Sequence, residues 1–376
     1  VNSTQPRGRD AVVRDFAVAA VPWAIARVLV VASLALSRHI FDEVGRGTRP
    51  VQLGQGLFAW DAAYYRAIAE HGYGDLPNAA LRFFPLVPLM SRALGVVFGG
   101  NEAVALIVIA NVSALVFAAL LHRLALVETG DPLLARRVAW YAALFPAAST
   151  LVLGYADATA LALAVAMFLA LRSRRFVTAG VLGYFAALAR PLGVLLVVPA
   201  LVEAARELRG QSLGAWIRRI TAVAGPPLGL VTFLAWVDHT RGDAFLPFSV
   251  QKRASLRGDF VDPITRLVDA FSDLVHGDRF GSGLHFVWAV VFLALFVVVW
   301  RRLPASYTAF TAATLLVALS AENLDSFERY ALGAFPLLLA LAIVTRRDLA
   351  ERVVLTLAAG ALVGYSVLMF FGVSVP

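Results

Sequence analysis

EAVALIVIANVSALVFAALLH, residues 102–122, has no ionisable side chain between Glu102 and His122, and Arg123 follows it at once. A membrane-spanning helix needs about 20 mostly apolar residues. A helix apolar on every face is either buried in a large core or set in lipid. The rest of the chain decides between these. It has 376 residues, 60% hydrophobic and 15% charged, with a mean hydropathy of +0.76, whereas soluble proteins carry about 45–50% apolar and about 25% charged residues. A soluble enzyme, a secreted domain and a disordered chain are excluded. The expected class is an all-α polytopic membrane protein.

Measured against the same length, the sequence gives about eleven transmembrane helices, near 16–38, 102–122, 138–154, 157–171, 176–190, 191–205, 220–237, 284–300, 304–321, 329–345 and 353–371. Pro146, Pro191 and Pro199 fall inside the short, closely joined spans, which are therefore expected to be broken or tilted. The stretch Phe83–Phe98 is also apolar, but counting it as a span would reverse every later loop. It is read as an interfacial or re-entrant helix that Pro85 and Pro88 help bury.

The net charge of +8 reflects topology. With the N-terminus inside, the inside segments hold 18 basic residues, Arg7 and Arg209 among them, against 8 acidic ones, while the remainder of the chain is −2. The short inside loops are Arg-rich, as the positive-inside rule requires, so the charge calls for anionic lipid and no nucleic acid. The run 16–38 is too long for a cleaved signal and is read as a retained span. The expected organisation is one transmembrane domain over 1–376, with extracytoplasmic loops 39–101 and 238–283 forming the active-site face.

The sequence has no cysteine, which removes disulfides, thiolate zinc sites and cysteine nucleophiles. Catalysis then rests on carboxylates, His, Tyr, Ser/Thr or Arg. The densest signal is Trp60-Asp61-Ala62-Ala63-Tyr64-Tyr65-Arg66-Ala67-Ile68-Ala69-Glu70-His71-Gly72-Tyr73, with Arg82-Phe83-Phe84-Pro85-Leu86-Val87-Pro88 after it. Helical spacing sets Tyr64, Tyr65 and Ile68 on the Asp61 side. Asp61 is then either a helix N-cap or a carboxylate held at the water–lipid boundary for chemistry. The Phe-Phe-Pro segment is placed to fold back over it.

These residues, Trp60-Asp61, Tyr64-Tyr65, Ile68 to Tyr73 and Phe83-Phe84-Pro85 with Pro88, resemble the first-loop signature of the PIG-V-type mannosyltransferases. Tyr155-Ala156-Asp157-Ala158 is similar to that family's Tyr-x-Glu-Ser segment, Ala189-Arg190-Pro191-Leu192-Gly193 to its Arg-Pro-x-Gly turn, and Glu328-Arg329-Tyr330 with Pro336 to its late Arg-aromatic segment. Asp157 stands where the family has Glu, and Ala158 where it has Ser. The resemblance implies a GT-C fold and an inverting transferase that moves mannose from a polyprenyl phosphate to a hydroxyl of a glycolipid or glycan. It implies Asp61 as the catalytic carboxylate. A donor anchored by its tail needs no nucleotide-binding domain, and no P-loop or dinucleotide fingerprint occurs.

The leaving group of such a reaction is a lipid phosphate, which Arg binds best. The candidates are Arg82, Arg190, Arg329, His71 and Lys252, with Arg253 beside Lys252. Arg190 is the sharpest, because an ionised group in an apolar stretch needs a function or a partner, and Asp157 is the partner expected. Trp60, Tyr64, Tyr65, Asp157, Gln251 and Tyr330 are the expected substrate-positioning residues. No cofactor is required. A divalent metal is possible but unsignalled, since the histidines lack ligand spacing and Asp259, Asp262, Asp269, Asp273 and Asp278 read as a solvated stretch. Two rival readings stand beside this one: transfer of another lipid-linked sugar such as arabinofuranose, and a lipid or glycan transporter, which would favour inverted repeats.

Overall fold

The computed structural model of the chain describes residues 8–206, 211–253, 256–277 and 282–373, so Arg7, Arg209 and Asp278 lie outside the described residues. The helices run in order α1 (Arg9–Val44), α2 (Val51–Gln55), α3 (Asp61–His71), α4 (Leu86–Gly95), α5 (Glu102–Thr129), α6 (Pro132–Leu144), α7 (Asp157–Arg172), α8 (Phe176–Ala189), α9 (Val197–Ala204), α10 (Leu213–Arg241), α11 (Leu246–Gln251), α12 (Pro263–His276), α13 (Ser282–Arg302), α14 (Ala305–Leu319), α15 (Phe327–Leu332), α16 (Pro336–Val344) and α17 (Asp348–Phe370). Among the described residues the one β feature is an isolated antiparallel bridge between Phe260 and Ala321.

Five helices, α1, α5, α10, α13 and α17, are long and apolar enough to cross a membrane. They leave large apolar side chains uncovered, such as Val21, Val28 and Val31 on α1 and Leu228 and Val231 on α10, surface that a soluble protein would bury. The other expected spans are shorter or divided. The stretch 138–154 becomes α6 and a 3-10 turn Pro146–Leu151, 191–205 becomes a 3-10 turn Pro191–Leu196 and α9, and 329–345 becomes α15 and α16. Proline explains each division: Pro146, Pro191 and Pro336 open the new element, where a missing N–H costs nothing. Phe83–Phe98 forms α4 and a 3-10 turn, together about 20 Å long and too short to cross.

These divisions place polar residues at helix ends deep in the bundle. Asp157 begins α7, Arg190 follows the last residue of α8, and Arg329 sits on the short α15. Irregular backbone at membrane depth persists only where protein covers it or a cavity adjoins it. Close packing fixes the frame. A Cβ on Gly225 of α10 would strike the Gly180 carbonyl of α8, and one on Gly180 would strike the Thr221 carbonyl, so these two helices approach as only small residues allow. Arg27 on α1 donates to Asn111 Oδ1 at 2.9 Å and to the Leu151 carbonyl at 2.8 Å, tying the Pro146–Leu151 turn to α1 and α5. The first loop docks on α5 through Tyr65, Ile68, Phe83 and Val87, which pack with Leu106 and Ile109.

Candidate active site

Asp61 is the first residue of α3, and Trp60 before it takes φ 58°. A left-handed backbone is rare for a residue with a Cβ and persists only where the surroundings hold it. Here the Trp60 indole donates to the Met369 carbonyl of α17 at 3.1 Å. Of the two roles open to Asp61, the N-cap is not formed. Trp60 occupies that position with no side-chain cap, while the Asp61 backbone N–H donates to the Tyr155 hydroxyl at 3.2 Å. The Asp61 carboxylate instead accepts from Arg329 Nη1 at 2.6 Å. A charge-assisted bond outweighs a backbone cap.

Arg329 is the centre of the constellation. Its Nε and Nη2 donate to the two oxygens of Asp157 at 2.9 and 2.8 Å, in the bidentate geometry that suits a guanidinium, and it lies 4.5 Å over the Tyr155 ring. Asp157 also accepts from Arg190 Nη1, the partner expected for that arginine. Two local causes aim these groups. Asp157 sits at the N-terminus of α7, where the helix dipole favours a carboxylate. Arg190 precedes Pro191 and is held extended, φ −152° and ψ 145°, which ends α8. The side chains differ in access: Asp61 is 28% exposed, Asp157 4% and Arg329 5%.

A small cleft, partly open to the surroundings, adjoins the cluster. Its polar end is Asp157, Arg190, Arg329 and Tyr330, and its walls include Leu161, Ala164, Leu192, Leu196 and Phe310. Asp61 is not among the lining residues; it lies on the other edge of the Arg329 guanidinium. One end of the cleft therefore suits an anion and the remainder suits hydrocarbon.

The expected aromatic residues pack beside the cluster. Phe83 folds back onto α3, stacking on Tyr64 at 4.7 Å between centroids and meeting Tyr65 edge-on at 5.2 Å. Burial pushes the Tyr65 phenol up to about 12, against a smaller opposing pull from Arg190. Arg82 is half-buried, 5.0 Å over Phe83, and donates to Gln251 Oε1 at 3.2 Å, so α11 meets the first loop there. Lys252 and Arg253 are exposed at the end of α11. His71 is not brought to the cluster: it is exposed at the far end of α3, about 15 Å along the helix from Asp61, and its charged neighbour is Glu70 at 3.8 Å. Helix geometry alone separates the two.

Three contributors were given no role from the sequence, although Tyr155 and Glu328 stand within the quoted motifs. Tyr155 receives the Asp61 N–H and carries Arg329 on its ring; its place two residues before a buried Asp was the available signal. Glu328 accepts from His285 Nδ1 at 2.8 Å and from Tyr365 at 3.3 Å, fastening α15 to α13 and α17. Arg257 lies 4.2 Å over the Tyr330 ring, which Arg190 also approaches at 5.7 Å. A short ladder brings it there. Asn323 N–H donates to the Arg257 carbonyl at 3.0 Å, Glu322 N–H to the Asp259 carbonyl at 3.1 Å, and Val261 N–H to the Ser320 carbonyl at 3.3 Å. Nothing local in Leu256-Arg257-Gly258 announces this pairing. Asp262 caps α12, accepting from Ile264 and Thr265 N–H at 3.0 Å each, which occupies one of the loop carboxylates. Among the described residues no group of three or more His, Asp or Glu side chains is placed to hold a metal.

No family model matches the chain, and no curated protein matches it either. Solved structures that resemble it include the Archaeoglobus fulgidus oligosaccharyltransferase in complex with zinc and sulfate, at TM-score 0.47 and 15% identity, covering 94% of this chain and 52% of that one. Another is the oligosaccharyltransferase AglB of the same organism with an inhibitory peptide and a dolichol-phosphate, at TM-score 0.46 and 12% identity, covering 94% and 55%. The chain thus spans about half the length of the solved structures it matches.

Proposed function

We propose that this chain is an inverting GT-C-type glycosyltransferase. It moves a sugar, mannose by the resemblance of its first-loop signature, from a polyprenyl phosphate to a hydroxyl of a glycolipid or glycan acceptor. In this reading loops 39–101 and 238–283 form the active-site face on the extracytoplasmic side of the plasma membrane. The observation that carries it is the division of labour between two carboxylates that share one arginine. Asp157 is buried under two guanidiniums, while Asp61 keeps 28% exposure and one bond to Arg329.

The chemistry follows from that division. An acceptor hydroxyl beside Asp61 attacks the anomeric carbon, its proton passes to the Asp61 carboxylate, and the carbon–oxygen bond to phosphate breaks with its electron pair leaving on the phosphate. One base on the attacking face suffices for inversion. The donor phosphate belongs at the polar end of the cleft beside Arg190, with the start of its prenyl chain along Leu161, Leu192, Leu196 and Phe310. The cationic edge there stabilises charge as it develops. Asp157 positions both arginines and takes no proton. Tyr64 and Trp60 flank Asp61 on the acceptor side, and the buried Tyr65 packs behind them.

The test is transfer of radiolabelled mannose from polyprenyl-phosphate-mannose by the full chain in liposomes, native against Asp61→Asn. Removing a general base lowers the rate by about 10²–10⁴-fold. Full activity in the variant would move the base elsewhere. If the native protein transfers no mannose but does transfer another lipid-linked sugar, the donor assignment changes and the reaction class stands.

A further inference from the structure

Within the cluster, Arg190 and Arg329 face Asp61 and Asp157, so those four side chains together carry no net charge. Glu328 turns away, to His285 on α13 and Tyr365 on α17. Asp259, Glu322 and Asp325 near the ladder are exposed, and water screens them. A further cation beside the cluster is Arg257. Its guanidinium rests on the Val317 and Ala318 carbonyls at 3.2 and 3.1 Å, at the end of α14, and among the described residues it forms no ion pair with a carboxylate.

We propose that Arg257, delivered by the second loop, binds the phosphate that leaves the donor; this rests on the function proposed above. The Tyr330 ring is a wall of the cleft, and Arg257 and Arg190 both approach it. Arg257 does not itself line the cleft, so in this proposal its guanidinium leaves the Val317 and Ala318 carbonyls to meet, with Arg190, an anion at that end. With a phosphodiester bound, the three arginines balance the two carboxylates and the single donor charge. When the glycosidic bond breaks, the phosphate gains a second negative charge while Asp61 gains the acceptor proton, so the site stays neutral throughout. Without Arg257 the two arginines at that end are already matched by Asp157 and Asp61, and the preference for an anion over the neutral lipid alcohol weakens. Gly258 is part of the device. Its φ is +67°, and a Cβ there would run into the Glu322 carboxylate that receives the Asp259 N–H. Alanine at 258 therefore shifts the neighbouring Arg257 without altering its charge.

The experiment uses the full chain in phosphatidylcholine nanodiscs and measures binding of farnesyl phosphate and of farnesol to the native protein, Arg257→Gln, Arg257→Lys and Gly258→Ala. A lost charge-assisted contact lowers phosphate affinity by about 10- to 100-fold. That loss is expected in Arg257→Gln, with partial recovery in Arg257→Lys, a similar loss in Gly258→Ala and unchanged farnesol binding throughout. Farnesol binding also shows that each variant is folded. If Arg257→Gln keeps the native preference for farnesyl phosphate, the assignment of Arg257 is wrong and the proposed function is untouched. If the native protein binds farnesyl phosphate no better than farnesol, the lipid-phosphate reading fails and this inference with it. Displacement of farnesyl phosphate by an equal mole fraction of phosphatidylglycerol would make this a general headgroup site and overturn the assignment.

Discussion

Asp157→Asn separates the structural carboxylate from the chemical one. The substitution keeps the shape of the side chain but removes its charge and turns one oxygen into an NH₂ group, which faces guanidinium donors. Arg329 loses its bidentate partner and keeps Asp61, while Arg190 loses the one carboxylate it contacts among the described residues. The side chains of Asp157, Arg329 and Arg190 are 4%, 5% and 15% exposed, so solvent replaces little of what is lost. Removing one partner of a buried pair costs about 3–5 kcal/mol. Spread over the unfolding entropy of a chain of 376 residues, that lowers the midpoint of thermal unfolding by on the order of 5 °C. Asp61→Asn should cost about 1 kcal/mol or less, because Arg329 keeps Asp157 and water reaches the site. The assay is intrinsic tryptophan fluorescence on heating in nanodiscs, with Asp157→Asn/Arg190→Gln as the cycle partner. Deleting the stranded cation should return at least about 1 kcal/mol. Equal destabilisation by Asp61→Asn and Asp157→Asn, or no recovery in the double variant, would refute the assignment.

Two further outcomes follow from geometry. Tyr65 has a phenol raised from 10.0 to about 12 by burial, so the folded state holds its proton where the unfolded chain releases it. Its contribution is complete below pH 10 and is lost as pH rises from 10 through about 12, at most about 2–3 kcal/mol; Tyr65→Phe should flatten that alkaline slope, and an unchanged slope would discount the burial. Asp75 and Ser173 are both exposed, and the chain has no native cysteine. Asp75→Cys in intact cells should react with a membrane-impermeant thiol reagent while Ser173→Cys stays protected, and the reverse pattern would invert the proposed topology.

Much of this protein was legible along the chain. An apolar run of spanning length reads the same whatever it packs against, so α1, α5, α10, α13 and α17 fall within or around the expected spans. Prolines at 146 and 191 announced the broken helices, because the loss of a donor is a local property. Arg190 stood out for a related reason, since an ionised group in an apolar stretch must find a function or a partner, while Asp157 and Arg329 stood out through the motifs that hold them.

Of the partnering itself the chain revealed one pair, Arg190 with Asp157, and no more. The neighbours of Asp61 leave a helix cap and a chemical carboxylate equally open, and only packing brings Arg329, 268 residues later, close enough to take its carboxylate. Trp60 reaches across 309 residues to the Met369 carbonyl, and Arg257 reaches Tyr330 because its loop pairs with 320–323. His71 was drawn in by its position in the motif and left out by ten residues of helical rise. Sequence determined which residues are costly to bury and which stretches suit lipid, since both depend on side-chain chemistry and short-range spacing. Tertiary structure decided which charges neutralise one another and which carboxylate stays open to an acceptor, because those depend on distances between helices that no local pattern encodes.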